Sequence, residues 1–145
     1  MLSKKSQYSL NALIYLASRY NEGPVLIEEI ANKAVLPKKF LEAILLELKK
    51  TGIVSSKKGK GGGYYLIKNP AEVNLADIIR QFDGAIALLP CATYNYYEKC
   101  EHCKDEKTCG LRSIIKDLRD ETVKILKRTS LADILEREKK LIAKL

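Results

Sequence analysis

The chain has 145 residues, 46% of them hydrophobic, and its 26 Lys and Arg exceed its 18 Asp and Glu, giving a formal net charge of +8. This composition excludes an extended disordered chain, and the length predicts one domain with an extension rather than two independent cores. The basic excess is uneven, because residues 1–68 hold a net +7 and residues 69–145 only +1. We therefore expect the N-terminal half to bind a polyanion, most simply nucleic acid.

The sequence also indicates a compartment. No stretch approaches the length of a membrane span, and the N-terminus MLSKKSQYSL lacks the apolar block of a signal peptide. We expect a cytoplasmic protein with no membrane partner. Its four cysteines should then be reduced or metal-bound rather than joined in disulfides.

Three helices are predicted in the first fifty residues. Apolar residues recur at helical spacing from Ser6 to Tyr20, and the run NEGP that follows ends this helix. A short second helix covers about Ile27–Lys33. Pro37 fits the first position of a third helix, which Gly52 closes. The buried face of the third helix is predicted to hold Phe40, Leu41, Ile44, Leu45 and Leu48.

A glycine-rich turn follows, with four glycines in the five positions 59–63. The flanks 53–56 and 64–67 carry β-branched and aromatic residues, so the segment predicts a β-hairpin, or wing, whose tip holds Lys57, Lys58 and Lys60. A nucleotide phosphate loop is one alternative, but Lys60 lies inside the glycines and a strand follows them. A solvated loop without function is the other. Helix, short helix, turn, helix and hairpin is the winged helix-turn-helix order.

The N-terminal turn of the third helix is the part of such a domain that reaches base edges. Its outward residues are Lys38, Lys39, Glu42 and Ala43. Lysines can bind phosphate or guanine, and Glu42 can accept a hydrogen bond from a cytosine amino group. An ordinary solvated face is the alternative. The predicted DNA-binding residues of helix and wing are Lys38, Lys39, Glu42, Lys57, Lys58, Lys60, Gly61, Gly62 and Tyr64.

Two further helices carry clear N-terminal signals. Asn74 can cap a helix from Leu75 to about Phe82, and Ser130 can cap a last helix from Leu131 to about Lys144.

Between them, a helix of about five turns is predicted from Leu111 onward. Its apolar residues fall three and four apart, while charged residues, Arg119 among them, occupy the other faces. Since so long a helix has little core to cover, its stripe predicts a seam against the same helix of a second subunit. Packing onto its own N-terminal domain is the alternative. The stripe consists of Leu111, Ile114, Ile115, Leu118, Thr122, Ile125, Leu126 and Thr129.

All four cysteines lie within nineteen residues, at Cys91, Cys100, Cys103 and Cys109, with His102 between two of them. Thiolates bind soft metals, and four of them suffice for an iron–sulfur cluster or for zinc. Thiol redox sensing and a role as small hydrophobic residues are the remaining alternatives.

Four stretches are similar to one known family. They read MLSKKSQYSLNALIYLA, LPKKFLEAILLELKKTGIVSSKKGKGGGYYL, ADIIRQFDGAIALLPC and KRTSLADIL, and together they resemble the Rrf2 family of bacterial winged-helix transcriptional regulators. The resemblance implies a homodimer that crosses its long C-terminal helices and places two recognition helices in successive major grooves of a palindromic operator. It also implies that each wing reaches an adjacent minor groove.

The resemblance further implies how a cluster is held. In cluster-binding members, three loop cysteines hold a two-iron or four-iron cluster, and these match Cys91, Cys103 and Cys109, so that Cys100 is an addition. Arg112 stands where some members have a histidine ligand, and Gln7 stands where others have an acidic one. Cys100 is then the natural fourth ligand, with His102 second. Some members lack a cluster altogether.

We therefore expect a mainly α protein: a winged helix-turn-helix domain with a two-stranded β wing at residues 1–83, a cysteine-containing sensor loop at 84–110, and a long dimerisation helix with a C-terminal helix at 111–145. Its expected function is that of a homodimeric transcriptional repressor. An iron–sulfur cluster, 2Fe-2S or 4Fe-4S, at the four cysteines would sense iron–sulfur, redox or nitrosative status, with zinc or no metal as alternatives. A dithiol redox enzyme using Cys100 and Cys103 is the rival, but the loop lacks a βαβ context.

Overall fold

The first three helices form a helix-turn-helix core in the computed structural model, which describes residues 1–145. They are α1 (Lys4–Ser18), α2 (Ile27–Lys33) and α3 (Lys38–Lys50). The hydroxyl of Ser3 caps α1 by accepting a hydrogen bond from the Ser6 N–H at 3.1 Å. Just beyond α3, Gly52 has φ +74°, the left-handed conformation in which glycine ends a helix without steric cost.

Several helix boundaries differ by one or two residues from the sequence prediction. Helix α1 begins and ends two residues earlier than predicted, because Ser3 caps it, and the chain turns beyond its end at Asn21 and Gly23, which both have positive φ. Pro37 is the N-cap of α3 rather than its first residue, with extended backbone dihedrals of −65° and 120°. These differences lie at helix ends, where the sequence pattern is least exact.

The predicted burial of Phe40 is wrong. Phe40 is 63% exposed, whereas the other four residues of the predicted face are buried. Its position lies 100° around the helix from Leu41, at the edge of the apolar stripe. There its ring forms a T-shaped contact with Tyr8, with 6.3 Å between ring centroids.

The wing is a two-stranded antiparallel hairpin of β1 (Val54–Lys57) and β2 (Gly63–Leu66). Val54 pairs with Leu66 at its base and Lys57 pairs with Gly63 at its far end, so Lys57 ends a strand instead of lying on the tip. Tyr64 exchanges two backbone hydrogen bonds of 2.8 Å with Val25. These bonds tie the wing to the segment between α1 and α2.

Three more helices follow: α4 (Leu75–Asp83), α5 (Gly110–Arg128) and α6 (Leu131–Ile142). The predicted caps are confirmed, since Asn74 accepts a hydrogen bond from the Asp77 N–H at 3.0 Å and Ser130 forms a capping box with Asp133. Single 3-10 turns lie at Pro70–Glu72 and Pro90–Ala92. Residues 93–109 contain no helix or strand.

The core lies between α1, α3, the wing and the returning α6. Eighteen buried hydrophobic residues form one cluster, and Leu131 at the start of α6 is completely buried in it. In contrast, the only buried residue of α5 is Arg119. The predicted fold class, mainly helical with a two-stranded wing, is confirmed. No helix combines the length and the apolar character that crossing a bilayer requires.

Candidate DNA-binding surface and cysteine loop

One face of α3 points away from the rest of the chain. We call it the α3 outer face and define it by Lys39, Glu42, Ala43, Leu46 and Lys50, all of which are exposed. None of them forms a side-chain hydrogen bond or an ion pair, although two are cations and one is an anion. A helix presented in this way has the dimensions that fit the major groove of DNA. Two of the predicted DNA-binding residues, Lys39 and Glu42, therefore lie on a free surface.

Lys38 is held differently. Its ammonium group pairs with the Glu28 carboxylate of α2, and this hydrogen bond raises the pKa of Lys38 and lowers that of Glu28. Both side chains are about half exposed, so the pair is worth little and a phosphate can replace the carboxylate. In the free protein the charge of Lys38 is thus partly offset, while that of Lys39 is not.

The wing presents three exposed cations, Lys57, Lys58 and Lys60, and none of them forms an ion pair. Within residues 1–68, the cations that do form ion pairs are Lys5, Arg19 and Lys38. The carboxylates that form these pairs therefore neutralise charge elsewhere and leave the wing positive. A duplex backbone is a partner that such a surface can bind.

The wing glycines determine the backbone conformation of the tip. Gly61 is exposed with φ +72°, but Gly62 is buried, and a Cβ on it would lie 2.3 Å from the Lys57 carbonyl oxygen. Its N–H donates a hydrogen bond to the Gly59 carbonyl at 3.0 Å. Tyr64 is half-buried beside the core. The structure places Gly62 and Tyr64 inside the wing, and their contact with DNA stays a prediction.

The four cysteines occupy different environments. Cys91 is buried in the 3-10 turn, Cys100 is exposed, and Cys103 and Cys109 are half-buried. Burial raises the pKa of the Cys103 thiol, and its hydrogen bond with Cys109 raises it further. The Sγ of Cys109 also caps α5 by accepting a hydrogen bond from the Arg112 N–H at 3.4 Å.

These residues suit thiolate ligation by their chemistry but not by their arrangement. No three His, Cys, Asp or Glu side chains lie close enough together to hold a metal ion. The structure brings Cys103 and Cys109 together, whereas Cys91, Cys100 and the neighbouring His102 do not complete the set. The predicted ligand set is therefore not assembled in this conformation of the loop.

Two arginines of α5 fasten the segment that carries Cys91. The Nε of Arg112 donates a hydrogen bond to the Cys91 carbonyl at 2.9 Å, and the guanidinium of Arg119 donates to the carbonyl of Ala92. The two arginines lie seven residues apart, and thus on one face of the helix. We call this arrangement the arginine clamp.

Arg119 is only 5% exposed, so its charge requires partners. Its guanidinium carbon lies 3.8 Å from the centre of the Tyr94 ring, and its nitrogens bind the Asp120 carboxylate at 2.8 Å. The Tyr94 hydroxyl donates to the same carboxylate at 2.7 Å. This hydrogen bond raises the pKa of Tyr94 and, together with Arg119, lowers the pKa of Asp120.

The burial of Arg119 could not be predicted from the helical pattern, which placed this residue only on a face of α5 outside the apolar stripe. The Pro90–Tyr94 segment folds over Arg119 and supplies a carbonyl and an aromatic ring as its partners, while the Tyr94 hydroxyl donates to Asp120. The seven-residue spacing of Arg112 and Arg119 was the one available signal. By itself that spacing does not reveal what the two side chains bind.

Comparison with known proteins agrees with this architecture. The family model described as Rrf2, iron-dependent transcriptional regulator, matches residues 2–137. An rrf2-like HTH-type transcriptional regulator of Rhodobacter capsulatus is 38% identical over 138 residues, which is 93% of this chain and 92% of that protein. The HTH-type transcriptional regulator CymR of Bacillus subtilis is 32% identical over 121 residues, 83% of this chain and 84% of CymR.

Solved structures show the same similarity in three dimensions. The structure of CymR, the global cysteine regulator of B. subtilis, has a TM-score of 0.78 at 30% identity and covers 94% of this chain and 97% of its own. The structure of T. potens IscR has a TM-score of 0.75 at 27% identity, covering 95% and 88%. The relatives are named as transcriptional regulators and not as enzymes. Since the family model spans nearly the whole sequence, the chain belongs to the Rrf2 family of HTH-type transcriptional regulators.

Proposed function

We propose that the protein is a homodimer that binds a palindromic operator through α3 and the wing of each subunit. It acts as a repressor where that operator overlaps a promoter. The observation that carries the proposal is the free positive charge of Lys39, Lys58 and Lys60, which no carboxylate of the chain neutralises. Each helix would read base edges, while each wing would contact the phosphate backbone.

The dimer is supported by the exposed stripe of α5. Leu111 and Ile114 are each 64% exposed, and Leu118 and Ile125 are each 48% exposed, all on one helix. Four such side chains on one face form a contiguous apolar surface, which a soluble monomer rarely leaves open. The alternative, that the stripe packs onto its own N-terminal domain, accounts only for its half-buried members, such as Ile115.

An apolar groove lies beside this stripe. It has a volume of about 790 Å³ and is lined by the N-terminus, α4, residues 85–88 and α5 itself, with Phe82, Ile86 and Leu126 among its walls. A groove and an exposed stripe on the same chain are complementary in chemistry. A second copy related by a two-fold axis can therefore cover both at once.

Two measurements test the proposal. Binding to duplex DNA should weaken steeply with salt, since log K falls by about 0.9 per log unit of salt for each phosphate contact. Sedimentation should show a dimer, and Ile114→Glu should give a folded monomer with much weaker operator binding. Lys127→Gln, an exposed position on the opposite face of α5, should remain a dimer. A monomeric wild type, or binding that is indifferent to salt, would refute the proposal.

For the cysteine loop, we propose that Cys91, Cys100, Cys103 and Cys109 hold an iron–sulfur cluster. The description of the family as iron-dependent and the four thiols within nineteen residues support it. When bound, a cluster supplies a group that oxidants and iron supply can alter. Zinc at the same four thiols is one competing proposal. Thiol chemistry without metal is the other, and it is favoured by the contact between Cys103 and Cys109 and by the absence of an assembled donor set.

Anaerobic purification separates these proposals. An absorption spectrum with iron, sulfide and zinc analysis distinguishes cluster, zinc and metal-free protein. Operator binding should then be compared before and after removal of the metal. Equal affinities would defeat a sensing role for the loop and leave DNA binding intact.

A further inference from the structure

The α3 outer face carries an apolar side chain at its centre. Leu46 is 55% exposed and lies between Lys39 and Ala43 on one side and Lys50 on the other, three to seven residues away along the helix. The buried face of α3, which includes Leu41 and Leu48, points in the opposite direction. Leu46 therefore does not lie at the margin of the core.

The flanks of α3 are tied to other elements, but this face is not. On one side, Lys38 pairs with Glu28 and the Lys49 ammonium donates to the Ser56 hydroxyl at 2.6 Å. On the other side, Glu47 pairs with Lys5 at 2.5 Å. Leu46 lies in the free arc between these contacts. A leucine at this position contacts any partner that binds the α3 outer face.

We propose that Leu46, with Ala43 beside it, recognises the 5-methyl group of a thymine in the major groove of the operator. Only thymine places a methyl group in that groove, and apolar side chains bind it by van der Waals contact. Water leaves both apolar surfaces when they meet, so the contact favours thymine over cytosine. This inference rests on the proposed DNA-binding function.

The side chains of the α3 outer face would recognise different groups on the bases. Glu42 accepts hydrogen bonds and Lys39 donates them, so both read polar base edges. Leu46 offers neither, and an exposed polar residue would serve solubility better at this position. If Leu46 were covered by a protein partner instead, removing thymine methyl groups would not change DNA binding. The experiment below detects this outcome.

The test begins with selection of preferred duplexes from a random pool by the wild-type dimer. Each thymine of the selected site is then replaced by deoxyuridine, which removes the methyl group and keeps the base pair. We expect one thymine in each half-site whose replacement weakens binding by about fourfold per methyl, the scale of burying one methyl group. Other thymines should respond little.

The variant Leu46→Ala should bind the thymine operator several-fold more weakly and show no response to deoxyuridine. Leu46→Met, which keeps an apolar end, should retain the response. Leu141→Ala is the matched control, because Leu141 is 57% exposed on α6, away from the outer face. It should behave as wild type. Circular dichroism checks folding, and Leu46→Gln carries the same comparison if Leu46→Ala fails to fold.

Three results would overturn the proposal: no invariant A·T pair in the selected half-site, a wild type indifferent to every thymine methyl, or a Leu46→Ala protein that responds to deoxyuridine as the wild type does. A wild type that selects no duplex at all would instead refute the proposed function. The two failures are therefore distinguishable.

Discussion

Replacing Arg119 by alanine should release the segment that carries Cys91 from α5. The guanidinium of Arg119 supplies the hydrogen bond to the Ala92 carbonyl, the stacking partner of Tyr94 and a pair with Asp120. No other side chain of the chain reaches that carbonyl. The alanine variant therefore leaves a buried carbonyl without a donor and the segment without its main attachment.

The size of the effect follows from these contacts. A buried hydrogen bond to a charged group contributes about 1.5–3 kcal/mol. The cation–π contact adds about 0.5–2 kcal/mol. The pair with Asp120, whose side chain is half exposed, adds at most about 1 kcal/mol. Because such contributions are not additive, we expect about 3 kcal/mol, which corresponds to a local opening roughly a hundredfold more frequent.

Native-state amide hydrogen exchange measures this opening directly. The amides of Ala92 and Thr93 are reporters, since they donate to the Leu89 and Pro90 carbonyls at 3.0 and 3.2 Å. Their exchange should accelerate about a hundredfold, by the conversion of about 1.4 kcal/mol per tenfold. Arg119→Met, which fills the volume without a donor, should accelerate them nearly as much.

An exposed arginine on the same helix provides the control. Arg128→Ala should leave exchange of Ala92 and Thr93 at the wild-type rate, because Arg128 forms no hydrogen bond or ion pair. If Arg119→Ala changed their exchange by less than about threefold, the clamp would not hold the segment. Global unfolding can be separated, since it would accelerate the core amides as well.

Acid should weaken the same attachment in the wild type. The folded-state pKa of Asp120 lies below its unfolded value of 3.8, so its contribution is fully present above that pH and is lost as pH falls through the lowered value. Tyr94 has its effect at alkaline pH. Because its pKa is raised in the folded state, the stability it contributes is fully present below its ordinary value of 10.0 and is lost as pH rises through the raised value. Once rates are corrected for intrinsic exchange, opening of the segment should rise at both extremes.

Three further predictions concern the DNA-binding surface. Lys58→Ala and Lys60→Ala should each weaken binding to all DNA sequences and reduce the salt slope by roughly 1.8 per dimer, whereas Lys144→Ala should not. Glu42→Ala should change base preference at particular operator positions, as measured by selection, and unchanged preferences would exclude that role. Gly62→Ala should distort the wing, because its Cβ would lie 2.3 Å from a backbone oxygen; DNA affinity should fall while the melting of the core changes by only a few degrees.

The features that could be predicted from sequence are those set by local interactions. Asn74 and Ser130 were recognisable as caps because a capping side chain binds a backbone N–H only three residues ahead. The wing was recognisable because four glycines in five positions permit few conformations other than a tight turn. Such signals need no knowledge of the tertiary fold.

The features that were missed depend on distant segments. Phe40 belongs to a helical stripe by its spacing, but no neighbouring element covers that edge of α3, so it is exposed. Arg119 is buried because residues 90–94, about 25 positions earlier in the chain, fold over it. A periodic pattern shows which residues share a helix face. It does not show which face a loop will cover.

The arginine clamp connects the cysteine loop to α5, so a change in the loop would act on this helix. Cys91 is fastened to α5 through Arg112, and Cys109 caps the same helix, so both ends of the loop act on the helix that the proposed dimer pairs. A helix of nineteen residues is about 28 Å long, so a rotation of about 5° moves its far end by roughly 2.5 Å. Half-sites one turn apart lie about 34 Å from each other. Since hydrogen bonds to bases tolerate only a few tenths of an ångström, a rotation of this size at the seam would suffice to disrupt one half-site while the other is held.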